Sequence, residues 1–134
     1  MERFELDSRL EKDSRPMVII GLCQLRLMRD ARWPWLLLVP QRPRMTEVFD
    51  LTPLDQTMLT FEIGLVGKAL KQATGCTKVN LGALGNQVRQ LHLHVIARSE
   101  GDPAWPGPVW GVGQAKPYAE ADENALIAAV LDAL

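Results

Sequence analysis

From residue 90 to 96 the chain reads Gln-Leu-His-Leu-His-Val-Ile, an alternation of polar and apolar residues with a period of two. Laid out as a strand, Leu91, Leu93 and Val95 point to one face and Gln90, His92, His94 and Ile96 to the other. The pattern predicts a strand over residues 88–97. At a rise of roughly 3.3 Å per residue, its two imidazoles stand about 6.6 Å apart on one face.

Earlier in the chain, residues 2–13 carry Phe4, Leu6 and Leu10 among charges, a thin amphipathic pattern that fits a short helix. Residues 18–28 read as one strand, with Gln24 and Arg26 opposite Cys23, Leu25 and Leu27, and residues 29–32 form a polar break. Residues 33–39 read as a second strand, apolar on both faces and therefore central, paired with the first as a hairpin. Pro40, Pro43, Arg42 and Arg44 then make a solvated loop. Thr52-Pro53-Leu54-Asp55 is a helix start: Thr52 caps, Pro53 sits where its missing N–H costs nothing, and Asp55 faces the positive end. Leu54, Met58, Phe61, Leu65 and Ala69 mark the predicted buried face of this helix, which should stop at Gly75. Gly64 and Gly67 inside it cost about 1 kcal/mol each relative to Ala, so close packing against a strand or a second subunit is expected there.

Residues 77–81 read as a third strand, 82–86 as a glycine-bearing turn, and 88–97 as the fourth strand. Residues 98–117 hold four of the nine prolines and four of the ten glycines, with Trp105 and Trp110, and so predict an irregular segment wrapped over the domain or over a second subunit. Leu126, Ile127, Val130 and Leu131 share one face of a predicted C-terminal helix over 119–134. The outcome is an α+β domain, a mostly antiparallel sheet with a long helix and a C-terminal helix packed on it.

Composition narrows the function. A chain of 134 residues is one domain, 1–134. A net charge of −1 and a pI near 6.1 argue against a broad nucleic-acid footprint. No apolar run approaches the roughly 18 residues of a membrane span, and the N-terminus lacks a targeting pattern, so a cytoplasmic protein is expected. Cys23 and Cys76 have neither C-x-x-C spacing nor a nearby histidine, and are read as buried thiols in a reducing compartment.

The only two histidines of the chain are His92 and His94. Half-buried sheet histidines bonded to backbone are the bland alternative. Against it stand Asn80, Asn86 and Gln87 nearby, and Gly82 and Gly85, whose backbone N–H groups can approach an anion. Neutral donors around a neutral imidazole suit a phosphate chain under nucleophilic attack. A metal site would require a third ligand that nothing singles out, so neither metal nor cofactor is expected. The turn lacks G-x-G-x-x-G spacing and leads into a strand, which excludes a dinucleotide fingerprint.

The run Gln90-Leu91-His92-Leu93-His94-Val95-Ile96 resembles the histidine triad (HIT) motif, in which three histidines alternate with apolar residues. Counterparts follow in order from about residue 15 to 98: strands around Cys23 and from Leu36 to Pro40, the Thr52 helix, Asn80-Leu81-Gly82, and Asn86-Gln87-Val88. The segment from Asp102 to Gly111, with its two tryptophans, is similar to a bacterial branch of that superfamily.

The resemblance implies a HIT-like fold of about four to five strands with a core over 15–98 and a tail over 99–134, a homodimer, and nucleotidyl hydrolysis or transfer on a purine nucleotide or dinucleoside polyphosphate. His92 takes the position of the nucleophile that forms a nucleotidyl-histidine, and His94 that of the third histidine, near the leaving group. Asn86 and Gln87 take polar positions that touch the phosphates, and Asn80 that of an asparagine near the site. Two positions depart from the family: Gln90 stands first in the triad, and Pro43 stands where a loop histidine often follows the second strand. Gln90 can hydrogen-bond and orient His92 but carries no proton. The competing expectation is a nucleotide-binding regulatory module with weak or no catalysis.

Overall fold

The computed structural model describes residues 2–134, and in them every amide-pairing strand joins one sheet. The elements run α1 (Ser8–Asp13), β1 (Ser14–Ile20), β2 (Cys23–Met28), β3 (Trp35–Pro40), a 3-10 turn (Val48–Asp50), α2 (Pro53–Thr74), β4 (Lys78–Gly82), β5 (Leu93–Arg98) and α3 (Glu120–Ala133). The five strands lie in the order β1-β2-β3-β5-β4, all neighbours antiparallel. This is the α+β arrangement expected, with β3 at the centre.

Both faces of the sheet are covered, which is why β3 is apolar throughout. On one face Leu25, Leu27, Leu36, Leu38, Leu93, Val95 and Ala97 pack against Leu59, Val66, Ala69 and Leu70 of α2 and Val130 of α3. The other face is shared by the N-terminal segment and the tryptophan-bearing segment after β5. Phe4, Leu6 and Leu10 cover Leu37 and Val39, while Trp33, Val109 and Trp110 cover Trp35 and Ile96.

Four sequence expectations require correction. Residues 18–28 are not one strand: Gly21, at φ 26°, turns the chain between β1 and β2, and apolar residues on either side hide the break. The helical N-terminal stretch shrinks to α1, capped by the Asp7 carboxylate on the N–H of Arg9. In α2 the caps are as read, with Thr52 accepting from Asp55 N–H and Gly75 left-handed. Its buried face is not: Leu54, Met58, Phe61 and Leu65 are exposed, and only Ala69 of the predicted stripe is buried. The buried stripe includes Glu62, because its carboxylate accepts the N–H groups of Leu22 and Cys23 at 2.7 and 3.0 Å. A satisfied carboxylate disguised the inward side. A Cβ on Gly67 would make ordinary contact with Val79, and one on Gly64 would meet nothing within 4 Å among the described residues. Finally, β5 begins at Leu93 and not at residue 88, since backbone groups before it are used elsewhere: Leu91 N–H donates to Met45 O, and Gln90 O accepts from a side chain.

Among the described residues no helix is long and apolar enough to cross a membrane. Cys23 and Cys76 are buried and free; burial and the neighbouring Glu62 carboxylate push the Cys23 thiol up.

Candidate active site

His94 enters the site from β5, directly opposite Leu37 of β3 and Gly82 of β4. His92 precedes the strand, and its ring centroid lies 4.9 Å from that of His94. Both residues are 5% exposed.

The partners of three of the four ring nitrogens fix the tautomers of both neutral histidines. His92 Nδ1 lies 2.6 Å from the carbonyl oxygen of Gln90, which can only accept, so Nδ1 carries the proton and Nε2 the lone pair. Burial holds its pKa below the usual 6.5, against the opposing pull of the Gln90 carbonyl and the Asp7 charge. For His94 the tautomer is the reverse. Trp35 Nε1 can only donate, and it does so to Nδ1 at 2.9 Å; the other nitrogen then donates to Leu84 O at 2.8 Å. Burial, chiefly, drives the His94 pKa down to about 4. A proton on Nδ1 would also face the indole N–H.

The loop over residues 83–87 is held against these rings. A Cβ on Gly85 would stand 2.6 Å from Val88 O and 3.1 Å from His92 Cε1, so only glycine lets the backbone pass the imidazole. A Cβ on Gly82 would meet Trp110 at 2.9 Å, and the Trp110 ring stands edge-on to His94 with centroids 5.3 Å apart.

His92 lies between two cavities. One of about 580 Å³ is polar and lined by Thr46, Glu47, Asn86, Arg89 and Gln90 among others. The second, of about 380 Å³, has an apolar floor of Leu10, Met28, Trp35 and Leu37 and is closed on one side by Trp110. Gly85 and Asn86 border both, and Gln87 borders the second.

The sequence-predicted residues divide accordingly. His92, His94, Gly85, Asn86 and Gln87 come together. Gln90 lines the polar cavity with its side chain tied to the N-terminal segment: Nε2 donates to Glu5 O and Oε1 accepts from Asp7 N–H, both at 2.8 Å. Gly82 backs the site through Trp110. Asn80 turns to Arg98, accepting from Nη1 at 3.2 Å, and lines neither cavity. The two loop arginines are spent on carboxylates, Arg42 on Asp55 and Arg44 on Glu2. Sequence reasoning missed Trp35, Trp110 and Arg89. Trp35 reads only as core in an apolar strand, and its tie to His94 depends on strand register. No group of three or more His, Cys, Asp or Glu arranged to hold a metal occurs among the described residues.

The family model described as "HIT domain" matches residues 9–101. Among solved structures, a histidine triad (HIT) protein from Sinorhizobium meliloti 1021 is 62% identical at TM-score 0.96, with 98% of this chain and 97% of that chain covered. A histidine triad protein from Bradyrhizobium japonicum is 44% identical at TM-score 0.96, covering 98% of each chain. One from Marinobacter aquaeolei VT8 is 40% identical at TM-score 0.96, covering 99% of this chain and 97% of that one. No curated protein matches the chain.

Proposed function

The chain belongs to the HIT domain family, and from that premise we propose that it is a nucleotidyl hydrolase or transferase. It cleaves a phosphoanhydride or phosphoramidate bond of a nucleoside monophosphate conjugate through a nucleotidyl-histidine on His92. The observation that carries this reading is the 2.6 Å contact of His92 Nδ1 with Gln90 O. It leaves Nε2 unprotonated beside both cavities and stabilises the positive charge that the ring gains when Nε2 bonds to phosphorus. The lowered pKa keeps the ring neutral at pH 7.

The apolar cavity suits a purine nucleoside, with Trp35, Leu37 and Met28 against the base. Asn86, Gln87 and the backbone at Gly85 then border the α-phosphate, and the polar cavity receives the leaving group. Neither metal nor cofactor takes part. The protein works in the cytoplasm as a homodimer, through the stripe Leu54, Met58, Phe61 and Leu65 that the fold leaves exposed on α2. A monomer by light scattering at micromolar concentration would refute the dimer.

The direct test is intact-protein mass after mixing with an adenylate conjugate in EDTA, for wild type and His92→Ala. One nucleoside monophosphate added to wild type alone is expected. The second reading, a nucleotide-binding regulatory module, draws on the Gln90 tie to the N-terminal segment, which removes a family proton carrier. Micromolar binding without an adduct, unchanged within a few fold in His92→Ala, would replace the enzyme reading by this one.

A further inference from the structure

Attack on phosphorus expels a leaving group, and a basic leaving group needs a proton as it departs. The two side chains that flank His92 on its own segment have none to give. Both polar atoms of the Gln90 amide are bound to backbone, Nε2 to Glu5 O and Oε1 to Asp7 N–H. An amide donates hydrogen bonds but does not transfer protons at neutral pH. His94 has its single proton on Nε2, committed to Leu84 O, and its Nδ1 faces the Trp35 N–H.

The rest of the polar cavity points the same way. Thr46 donates its hydroxyl to Asp50, the Asp50 N–H goes to the backbone carbonyl of Glu47, and the Glu47 carboxylate, when ionised, is an acceptor with no proton to give. Asn86 supplies hydrogen bonds only. The exposed Arg89 brings a guanidinium to the wall of the cavity, which attracts an anion. Asp13 borders the apolar cavity alone of the two.

We propose that the protein selects conjugates whose leaving group departs as an anion, acyl or phosphoryl anhydrides of a nucleoside monophosphate, and discriminates against phosphoramidates of basic amines. The inference rests on His92 as nucleophile and narrows its substrate class. In the first step the Nε2 lone pair forms the bond to the α-phosphorus while the bond from phosphorus to the bridging oxygen breaks. That oxygen keeps the electron pair and leaves as carboxylate or phosphate toward Arg89, and the ring keeps its Nδ1 proton. In the second step a water oxygen bonds to phosphorus, the P–N pair returns to Nε2, and the surplus proton of the water passes to solvent. An amine follows the first step only slowly, because the cavity supplies no proton and without one it would have to leave as an amide ion.

The experiment uses the full chain in EDTA with three probes sharing one nucleoside: diadenosine tetraphosphate, adenosine 5′-phosphoramidate, and adenylate esters of phenols of graded acidity. Adduct formation and kcat/KM are read for each. The tetraphosphate is expected to exceed the phosphoramidate in kcat/KM by about 10²-fold or more, the scale of a missing general acid. Rates should fall steeply along the phenol series as the phenol becomes more basic. A phosphoramidate within about tenfold of the anhydride by that measure, or a flat phenol series, overturns the inference while leaving the His92 adduct standing. Absence of an adduct from every probe overturns both.

Discussion

Replacing Gln90 with His completes the family triad on paper, yet the contacts of Gln90 predict a weaker protein with no gain in rate. The wild-type amide makes two bonds of 2.8 Å across more than eighty residues of chain, one as donor to Glu5 O and one as acceptor from Asp7 N–H. An imidazole in this position keeps at most one of them. A part-buried neutral hydrogen bond contributes about 1 kcal/mol, and leaving its partner unsatisfied costs about 1–3 kcal/mol. The Asp7 side chain also caps α1, and Phe4, Leu6 and Leu10 pack beside it on Leu37 and Val39, so loosening the clasp weakens that cluster. The expected loss is about 1–3 kcal/mol, a fall in Tm of several degrees for a domain of this size. Urea titration and thermal melts read the stability, and the adduct rate with a phosphoramidate reads the chemistry. A Gln90→His protein of wild-type stability that cleaves the phosphoramidate tenfold faster would show that this position lacks only its acid, and that the clasp to residues 5 and 7 is dispensable.

Acid should destabilise the protein earlier than its carboxylates require. His94 is held neutral down to about 4 in the fold against an ordinary 6.5, so its contribution is complete above 6.5 and is lost as pH falls toward 4. Between pH 8 and 5 that amounts to about 2 kcal/mol, with His92 adding in the same direction; the lowered carboxyls of Asp7, Asp30 and Asp102 act only below their ordinary range. Equal unfolding free energies at pH 8 and 5 would refute the neutral pair. The acid limb of kcat/KM should likewise fall below pH 6.5, since imidazolium has no lone pair; a midpoint above 6.5 contradicts the geometry. Gly85→Ala places a Cβ 2.6 Å from the Val88 carbonyl and 3.1 Å from His92, so adduct formation should drop at least tenfold in a folded protein. An unchanged rate would mean that the loop does not position the ring.

The sequence displays most of the frame because local chemistry specifies it. Thr52, Pro53 and Gly75 bound α2 through caps that operate within one turn, and the apolar run of β3 announces a strand covered on both sides. What stays hidden depends on long-range partners. The inward side of α2 is unreadable while Glu62 looks like a surface residue, and only the β1–β2 turn reveals where its carboxylate goes. Gln90 looks like a damaged catalytic position until residues 5 and 7 arrive beside it. Asn80 reads as a nucleotide-binding residue near the site because it lies near the histidines in sequence, and on β4 its side chain accepts from Arg98. The lead-in to β5 reads as strand because its apolar residues alternate, although Gln90 has given its carbonyl to His92.

Arg98 explains why the site needs the tail. It is 1% exposed, and such a charge stays buried only if its donors are used. Nε and Nη2 grip the Asp102 carboxylate at 2.9 and 2.8 Å, and Nη1 serves Gly107 O as well as Asn80. The guanidinium also lies beside the rings of Trp33 and Trp105. These bonds pin residues 102–107 to the end of β5, and Trp110 follows three residues later, against His94 and Gly82. From the opposite side Gln90 clasps residues 5 and 7. The N-terminal segment and the segment after β5 are thus each tied beside the histidine pair by polar contacts, those of Gln90 at the wall of the polar cavity and those of Arg98 away from both cavities. Burial is the largest cause of both lowered imidazole pKa values, and Trp110, edge-on to His94, is part of what surrounds the pair. The fold that buries the pair is therefore also what keeps the nucleophile neutral.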